Sequence, residues 1–245
     1  MVQTSAKGVS PSHVSAMMAV APWLSESSIE HSGSGHTVTC TTLRSYRENE
    51  HVFFEGDALS HVYLVVEGVV ALYKVLCDGR RQVCSFAYPG DILGLDSTGA
   101  HVNSAEVLCE STLRCIPFNA IEKLMRSEPG FGEALLVATA TELAETRDLM
   151  LSLGRRSATE KLASFLLRIA RRNNTPGSSL PTVSIPMKRC EIADYLGLTT
   201  ETISRSLSKF KAMNIIRLES ISEVQILDME KLQAMADGNA SGCLH

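Results

Sequence analysis

Three polar side chains, Glu201, Ser204 and Arg205, are spaced so that one face of a helix would present them together. A guanidinium can donate to O6 and N7 of guanine, a carboxylate can accept from N4 of cytosine, and a hydroxyl can contact a neighbouring base. This set therefore predicts a side-chain group that reads base edges in the major groove of DNA. The alternative is that Glu201 and Arg205, four positions apart, form an ordinary ion pair on a solvated helix.

The segment around these side chains, residues 188–217, predicts two short helices joined by a tight turn. Gly197 ends the first helix, and Thr199 is placed to cap the second. The inward faces are apolar: Ile192, Ala193, Tyr195 and Leu196 in the first helix, and Ile203, Leu207 and Phe210 in the second. The outer face of the second helix carries no apolar residue, as expected of a helix-turn-helix that enters a groove. A strand, turn and strand pattern at 215–227 predicts a wing after it.

Basic residues are concentrated in this part of the chain. The chain has a net charge of −4, but residues 184–217 hold six Lys or Arg against three Asp or Glu. Contacts to DNA phosphates depend on such local placement of charge. The candidate phosphate contacts are Lys188, Arg189, Thr199, Thr200, Thr202, Lys209, Lys211 and Arg217. Any one of the basic members could instead be a solvated surface charge.

The run IADYLGLTTETISRSLSKF resembles the helix-turn-helix of the Crp/Fnr family of bacterial transcription regulators, and its E-T-I-S-R core is similar to the Fnr and FixK branch. The resemblance covers about residues 36–235. It implies that Glu201, Ser204 and Arg205 read a half-site TTGAT, paired with ATCAA in a palindrome. It also implies a transcription activator that works with RNA polymerase on double-stranded DNA, in low-oxygen or nitrogen-fixation gene control, and not an enzyme.

Short strand-like runs broken by turns fill residues 37–114 and predict antiparallel strands. The turns are marked by Gly56-Asp57, Asp78-Gly79 and Gly90-Asp91, and the second of these favours a hairpin. The F-x-E-G-D and P-G-D-x-x-G stretches resemble the cyclic-nucleotide-binding-type β-roll of the same family. The expected fold class is therefore α+β: this β-roll, a long dimerisation helix and a C-terminal winged helix-turn-helix.

The roll lacks the two anchors by which nucleotide-binding relatives hold cyclic AMP. The resemblance places a Glu and an Arg at the positions that Leu95 and Asn103 occupy here. A buried phosphate without its arginine loses a charge-assisted pair. We therefore expect no bound cofactor, and the alternative is an effector of the same fold that responds to a cyclic nucleotide or to redox state.

The seven cysteines, at positions 40, 77, 84, 109, 115, 190 and 243, include no C-x-x-C pair. A cubane iron-sulfur cluster needs four thiolates, and the spacing disfavours one, so no metal is expected. No pattern of a Cys with a His base suggests a thiol enzyme, and most of the cysteines are expected to be small buried hydrophobes. Cys190, in the first helical turn beside Lys188 and Arg189, is a candidate redox switch. The alternative is an inert thiol.

A heptad pattern follows the roll in a predicted long helix at 128–156. The seam consists of Leu136, Thr139, Leu143, Thr146, Met150 and Leu153. The stripe could pack against its own copy or on the roll of the same chain. The palindromic site and the dimerisation helix of the resembling family favour a homodimer. Ser157 and Glu160 then form a capping box that starts the next helix.

The chain thus divides into a flexible tail at 1–35, a β-roll sensor-type domain at 36–127, a dimerisation helix at 128–156 and a winged helix-turn-helix domain at 157–238. The tail contains Ser and Gly clusters, and it lacks a basic start followed by a long apolar run. We therefore expect neither a secretory signal nor a membrane span, and a cytoplasmic protein.

Overall fold

The computed structural model describes residues 41–96, 98–127, 129–172 and 182–238. The N-terminal tail predicted at 1–35 lies outside these residues. The first eight elements are strands: β1 (Thr42–Tyr46), β2 (His51–Phe53), β3 (His61–Glu67), β4 (Val70–Val75), β5 (Arg81–Ala87), β6 (Ile92–Leu93), β7 (Ser104–Val107) and β8 (Ser111–Pro117). The rest are α1 (Phe118–Ser127), α2 (Pro129–Arg155), α3 (Ala158–Arg172), β9 (Thr182–Ser184), α4 (Arg189–Leu196), α5 (Thr200–Ala212), β10 (Ile216–Leu218), β11 (Glu223–Ile226) and α6 (Met229–Ala236).

The strands of the first half form two four-stranded antiparallel sheets, in the orders β1-β8-β3-β6 and β2-β7-β4-β5. The hairpin predicted at Asp78-Gly79 is confirmed, because β4 and β5 pair from Val75 opposite Arg81. Asp78 Oδ1 accepts a hydrogen bond from the Arg80 N–H at 3.0 Å and closes the turn. Apolar side chains from both sheets, among them Leu113 of the first and Val70 of the second, fill the space between them.

The outer face of the first sheet is covered by α1 and α2. Val62, Leu64 and Ile116 of the sheet are buried against Ile121 of α1 and Phe131 of α2. Phe131 is fully buried, so it anchors the start of α2 on the roll. Beyond this anchor, Ala134, Leu135 and Ala138 still pack in the same cluster, and most other residues of α2 are exposed.

The outer face of the second sheet shares one apolar core with the C-terminal domain, which the sequence did not predict. Phe86 of β5 lies 6.2 Å from the Phe165 ring and 5.1 Å from the Tyr195 ring, measured between centroids. The Gln82 side chain of the same strand donates to the Asp194 carbonyl of α4. The roll therefore packs directly on the first helix of the helix-turn-helix.

The C-terminal domain is a helical unit with a small sheet of order β10-β11-β9. The capping box predicted at its start is confirmed: the Ser157 N–H donates to Glu160 Oε2 at 3.0 Å, and the Glu160 N–H donates to Ser157 Oγ at 3.4 Å. Buried side chains of α3 and α6, including Leu166 and Leu232, form the domain core. The β10–β11 hairpin is the wing that the pattern at 215–227 predicts.

Candidate nucleic-acid interface

The turn between α4 and α5 has the geometry that its residues predict. Gly197 ends α4 in the left-handed conformation, with φ of 61°, and its N–H donates to the Ala193 carbonyl. At the other end of α4, the buried Glu191 accepts a hydrogen bond from the Lys188 N–H at 2.6 Å. Burial raises the pKa of Glu191, and the hydrogen bond from Lys188 partly offsets that effect. Both ends of α4 are thus fixed by local contacts.

The second helix, α5, begins at the predicted cap. Thr199 Oγ1 accepts a hydrogen bond from the Thr202 N–H at 3.2 Å. Ile203, Leu207 and Phe210 are buried, as their spacing predicts. The opposite face carries polar and charged side chains up to its last residue, the exposed Ala212, and is open to solvent over most of its area.

The three candidate base-reading side chains lie together on this face. Arg205 Nη2 contacts Glu201 Oε1 at 2.9 Å, and the two side chains are 72% and 76% exposed. Ser204 lies between them and donates from Oγ to the Thr200 carbonyl at 2.9 Å, so its own oxygen can still accept. An exposed ion pair four positions apart on a helix stabilises it by only about 0.3 to 0.5 kcal/mol. Each of the two side chains can therefore leave the other and bind a base edge at small cost.

Most of the candidate phosphate contacts are open to solvent, and some of them already bond to neighbouring side chains. Thr200, Lys209, Lys211 and Arg217 are exposed, and Arg189 is half-buried on the first turn of α4. Thr199 and Thr202 bond to each other through their hydroxyls at 2.8 Å, at the start of α5. Arg217 donates to the Gln225 side chain at 3.1 Å across the wing.

Lys188 differs from the other candidates because the roll already binds it. Its ammonium contacts Glu48 Oε1 at 2.8 Å and Asn49 Oδ1 at 3.2 Å. The hydrogen bond to Glu48 raises the pKa of Lys188. Lys188 must therefore leave these partners before it can contact a phosphate.

The predicted seam of α2 is an exposed apolar stripe within the single chain. Leu136 is 70% exposed, Leu143 49% and Met150 66%, so these residues do not pack on their own roll. Thr139 and Thr146 donate from Oγ1 to the backbone carbonyls of Leu135 and Glu142, which removes most of the cost of placing two hydroxyls on the stripe.

The last seam residue, Leu153, has a second neighbour. It is 36% exposed, and its Cδ2 lies 3.3 Å from where a Cβ on Gly197 would stand. The end of α2 thus touches the turn of the helix-turn-helix.

The expectation that most cysteines are buried is wrong for the part of the chain that the structure describes. Of the five cysteines there, only Cys115 is buried, whereas Cys77, Cys84 and Cys190 are exposed and Cys109 is half-buried. Cys77 lies in the β4–β5 turn and Cys84 points outward from β5, so hydrophobic packing does not explain them. Cys190 lies in the first turn of α4, as predicted.

The roll does not fit a cyclic nucleotide at the position of the missing anchors. Leu95 is partly exposed and Asn103 is half-buried, and residues 88–105 contain no Lys or Arg. The buried His101 stacks on Phe53 with ring centroids 3.7 Å apart, and its Nδ1 lies 3.2 Å from Asp96 Oδ2. No cation of this segment can pair with a phosphate. Within the described residues, no group of three or more His, Cys, Asp or Glu could hold a metal ion.

A β-roll followed by a long exposed helix and a winged helix-turn-helix with a polar reading face defines a class of dimeric, DNA-binding transcription regulators. A model described as the Crp-like helix-turn-helix domain matches residues 160–235, and one described as the cyclic nucleotide-binding domain matches residues 43–128. The chain belongs to the Crp/Fnr family of transcription regulators, which are not enzymes.

The relatives place the chain near the FixK and Fnr regulators. It is 38% identical over 191 residues to the nitrogen fixation regulation protein FixK of Bradyrhizobium diazoefficiens, covering 78% of this chain and 80% of the relative. It is 35% identical over 205 residues to the transcriptional activator FnrL of Cereibacter sphaeroides, covering 82% and 83%. The structure of FixK2 from Bradyrhizobium japonicum aligns with a TM-score of 0.74 at 36% identity, covering 80% of this chain and 97% of that one. None of the helices that the structure describes is long and apolar enough to cross a membrane.

Proposed function

We propose that this regulator binds a TTGAT-type palindrome as a homodimer and activates transcription from it. The observation that carries the proposal is the solvent-exposed Glu201–Arg205 pair, with Ser204 between, on the polar face of α5. Arg205 reads the guanine of the half-site, Glu201 accepts from the cytosine on the other strand, and Ser204 contacts a neighbouring base.

Phosphate contacts flank this reading face and set its register on the DNA. Arg189, Thr199, Thr200, Thr202, Lys209, Lys211 and Arg217 make them from the free protein, and Lys188 joins once Glu48 releases it. Because only the phosphate contacts are independent of sequence, their loss weakens binding to all DNA equally.

The dimer forms along α2. Its exposed stripe of Leu136, Thr139, Leu143, Thr146, Met150 and Leu153 has the heptad spacing of a coiled-coil seam. A two-fold pair of reading helices then matches the two half-sites of a palindrome. Leu143→Glu should place a charge in the seam and convert the dimer to monomer in analytical ultracentrifugation, whereas Leu151→Glu, at an equally exposed position outside the seam, should not.

The names of the relatives, which refer to regulation of nitrogen fixation and to transcriptional activation, support a role in nitrogen-fixation gene control. From the resemblance to the Fnr and FixK branch we extend this role to low-oxygen control in the cytoplasm, with RNA polymerase as a partner. The four segments at 1–35, 36–127, 128–156 and 157–238 would then be a tail, a sensor-type roll, the dimerisation helix and the reading domain. A cyclic-nucleotide effector has less support, because the roll offers no cation at the anchor position.

Sequencing of random DNA fragments selected by the purified protein tests the proposal. We expect enrichment of TTGAT with its inverted partner at a fixed spacing. Selection with Arg205→Ala should lose the preference at the guanine, and selection with Arg126→Ala, an exposed charge at the end of α1, should keep the whole motif. Enrichment of an unrelated motif would contradict the assignment of the half-site.

A further inference from the structure

A cavity of about 210 Å³ lies where the end of α2 meets α3, α4 and α6. Its lining includes the polar side chains Ser152, Lys161, Arg168, Arg171, Tyr195 and Gln233. None of its lining residues belongs to α5, so the cavity is separate from the base-reading face.

Two of these side chains are more than nine-tenths buried and have no protein partner in the described part of the chain. Lys161 is 8% exposed, and its ammonium makes no hydrogen bond or ion pair with a described residue. Ser152 is 5% exposed, and its hydroxyl is likewise unpaired there. Neither polar atom is among those that are sealed from solvent without a partner, so both face the open space of the cavity. Both groups can therefore bind an acceptor that enters the cavity.

The charge of the lining favours an anionic acceptor. Five basic side chains, Arg156, Lys161, Arg168, Arg171 and Arg172, face three acidic ones, Glu145, Asp148 and Asp237. Glu145 is engaged by Arg172 through two hydrogen bonds of 3.1 Å, and Asp237 accepts from the Gln233 amide.

The two arginines nearest to the unpaired lysine along α3 bind neutral partners. Arg171 donates to the Gln233 side chain at 3.0 Å, and Arg168 donates to the Tyr195 hydroxyl. These contacts orient the guanidinium groups but leave their charges uncompensated. The wall thus carries a surplus of positive charge in fixed positions.

We propose that this cavity binds a small anion that carries phosphate or carboxylate groups. Lys161 and Arg171 supply the charge, and the Ser152 hydroxyl donates a further hydrogen bond. The volume of about 210 Å³ is enough for a compact anion of the size of pyrophosphate or a small phosphorylated metabolite.

A ligand at this position would affect DNA binding, because the site lies between the dimerisation helix and the DNA-binding domain. This inference rests on the proposed function. Ser152 belongs to the helix that we assign to dimerisation, whereas Lys161, Arg171 and Tyr195 belong to the DNA-binding domain. An anion held by both would fix the angle between them, and that angle sets the spacing of the two reading helices on a palindrome. The ligand changes the affinity for DNA only to the extent that it binds one of these interdomain angles more tightly than the others.

Calorimetric titration of the full chain with inorganic pyrophosphate, in chloride buffer of constant ionic strength, tests the site. We expect saturable binding of one anion per chain and a rise of the melting temperature. Lys161→Met should weaken binding at least tenfold and abolish the rise. Without ligand it should melt no lower than the wild type, because the Lys161 ammonium has no partner among the described residues. Arg171→Gln is a second variant, which removes an exposed guanidinium bonded to Gln233 and should also weaken binding of the anion.

Two control variants locate the binding. Arg126→Ala removes an exposed charge far along the chain and should bind as the wild type does. Arg205→Ala should also retain binding, since the recognition face is not part of the cavity. Absence of saturable binding, unchanged binding in both cavity variants, or loss in Arg205→Ala alone would each overturn the site.

DNA affinity measured with and without pyrophosphate tests the coupling separately. A change of affinity in the wild type that is absent in Lys161→Met supports the link between the cavity and the reading helices. Saturable binding with no change in DNA affinity would overturn the coupling and leave the anion site in place. Recognition of TTGAT is read from the fragment selection, which does not depend on either result.

Discussion

The molecule contains two groups of paired charges in very different surroundings. At the junction of the roll with α2 and α3, Arg172 donates to Asp91 at 2.8 Å and to both oxygens of Glu145 at 3.1 Å. These side chains are only 14%, 6% and 21% exposed. On α5, Arg205 meets Glu201 at a similar distance, 2.9 Å, but both are more than two-thirds exposed.

Equal distances therefore do not mean equal roles. Burial raises the pKa of Asp91, and the attraction of Arg172 opposes that rise, so the carboxyl depends on its partner. A buried charge that loses its partner is left without water, whereas an exposed charge regains water at once. The buried cluster is suited to hold the roll against the helices. The exposed pair is suited to exchange partners when DNA arrives.

Removal of the shared cation should break the buried cluster. Arg172→Met leaves Asp91 and Glu145 without their shared cation, although Asp91 still accepts from the Tyr88 N–H, and we expect the free energy of unfolding to fall by about 3 to 5 kcal/mol. Urea denaturation followed by circular dichroism measures this change. Glu201→Gln, the matched change in the exposed pair, should alter stability by less than about 0.5 kcal/mol.

A triple variant separates the loss of charge pairing from the loss of packing. If Asp91→Asn and Glu145→Gln are added to Arg172→Met, most of the lost stability should return, because no unpaired charge remains. A single Arg172→Met protein as stable as the wild type would mean that water reaches the cluster, and the contrast with the exposed pair would fail.

The exposed pair should matter for DNA and not for folding. Arg205→Ala should weaken binding to a TTGAT duplex by about 1 to 3 kcal/mol and relax the preference at its guanine. Fluorescence anisotropy with the palindrome and with a scrambled duplex measures both effects, and urea denaturation should show an unchanged protein. An equal loss on the two duplexes would assign Arg205 to a phosphate contact.

The reading face could be predicted from sequence because its signals are local. Gly197 as a helix end, Thr199 as a cap and the spacing of Ile203 and Phe210 all act within one or two helical turns. The structure confirms each of them. The motif is also short and specific, so the resemblance to a family could be found on the same residues.

The domain junction could not be predicted in the same way. Asp91 was interpreted only as part of a turn, and its partner Arg172 lies 81 positions away at the end of a helix. The sequence of β5 shows that Phe86 is apolar, but it does not show that Phe165 and Tyr195 cover it on the outer face of the sheet. Local patterns predict which face is buried, whereas the partner depends on the tertiary fold.

Lys188 is an intermediate case between the two charge groups, because it joins the roll to the reading domain through an exposed pair. Glu48→Gln should free it for a phosphate, so we expect tighter DNA binding. The slope of log K against log salt should steepen by about 0.9, the value for one added phosphate contact. Binding isotherms at several salt concentrations measure this slope.

Glu55→Gln is the matched control for this experiment. It removes the same charge from a pair of similar exposure, Lys74–Glu55 at 2.9 Å, which lies wholly within the roll. It should leave the slope unchanged. Equal steepening in both variants would point to overall charge and not to Lys188.

The smallest expected effect on DNA binding concerns Cys190, whose thiol gains a negative charge when peroxide oxidises it. Oxidation by peroxide to a sulfinate would place negative charge beside Arg189 and near the DNA phosphates, so binding of the wild type should weaken after peroxide treatment. Cys190→Ala should bind DNA normally when reduced and keep its affinity after the same treatment. Cys84→Ala, which removes an exposed thiol on the roll, should remain as sensitive as the wild type. If Cys190→Ala loses affinity to the same extent as the wild type, the thiol is inert and peroxide acts elsewhere. DNA binding by the reading face would then not depend on the oxidation state of Cys190.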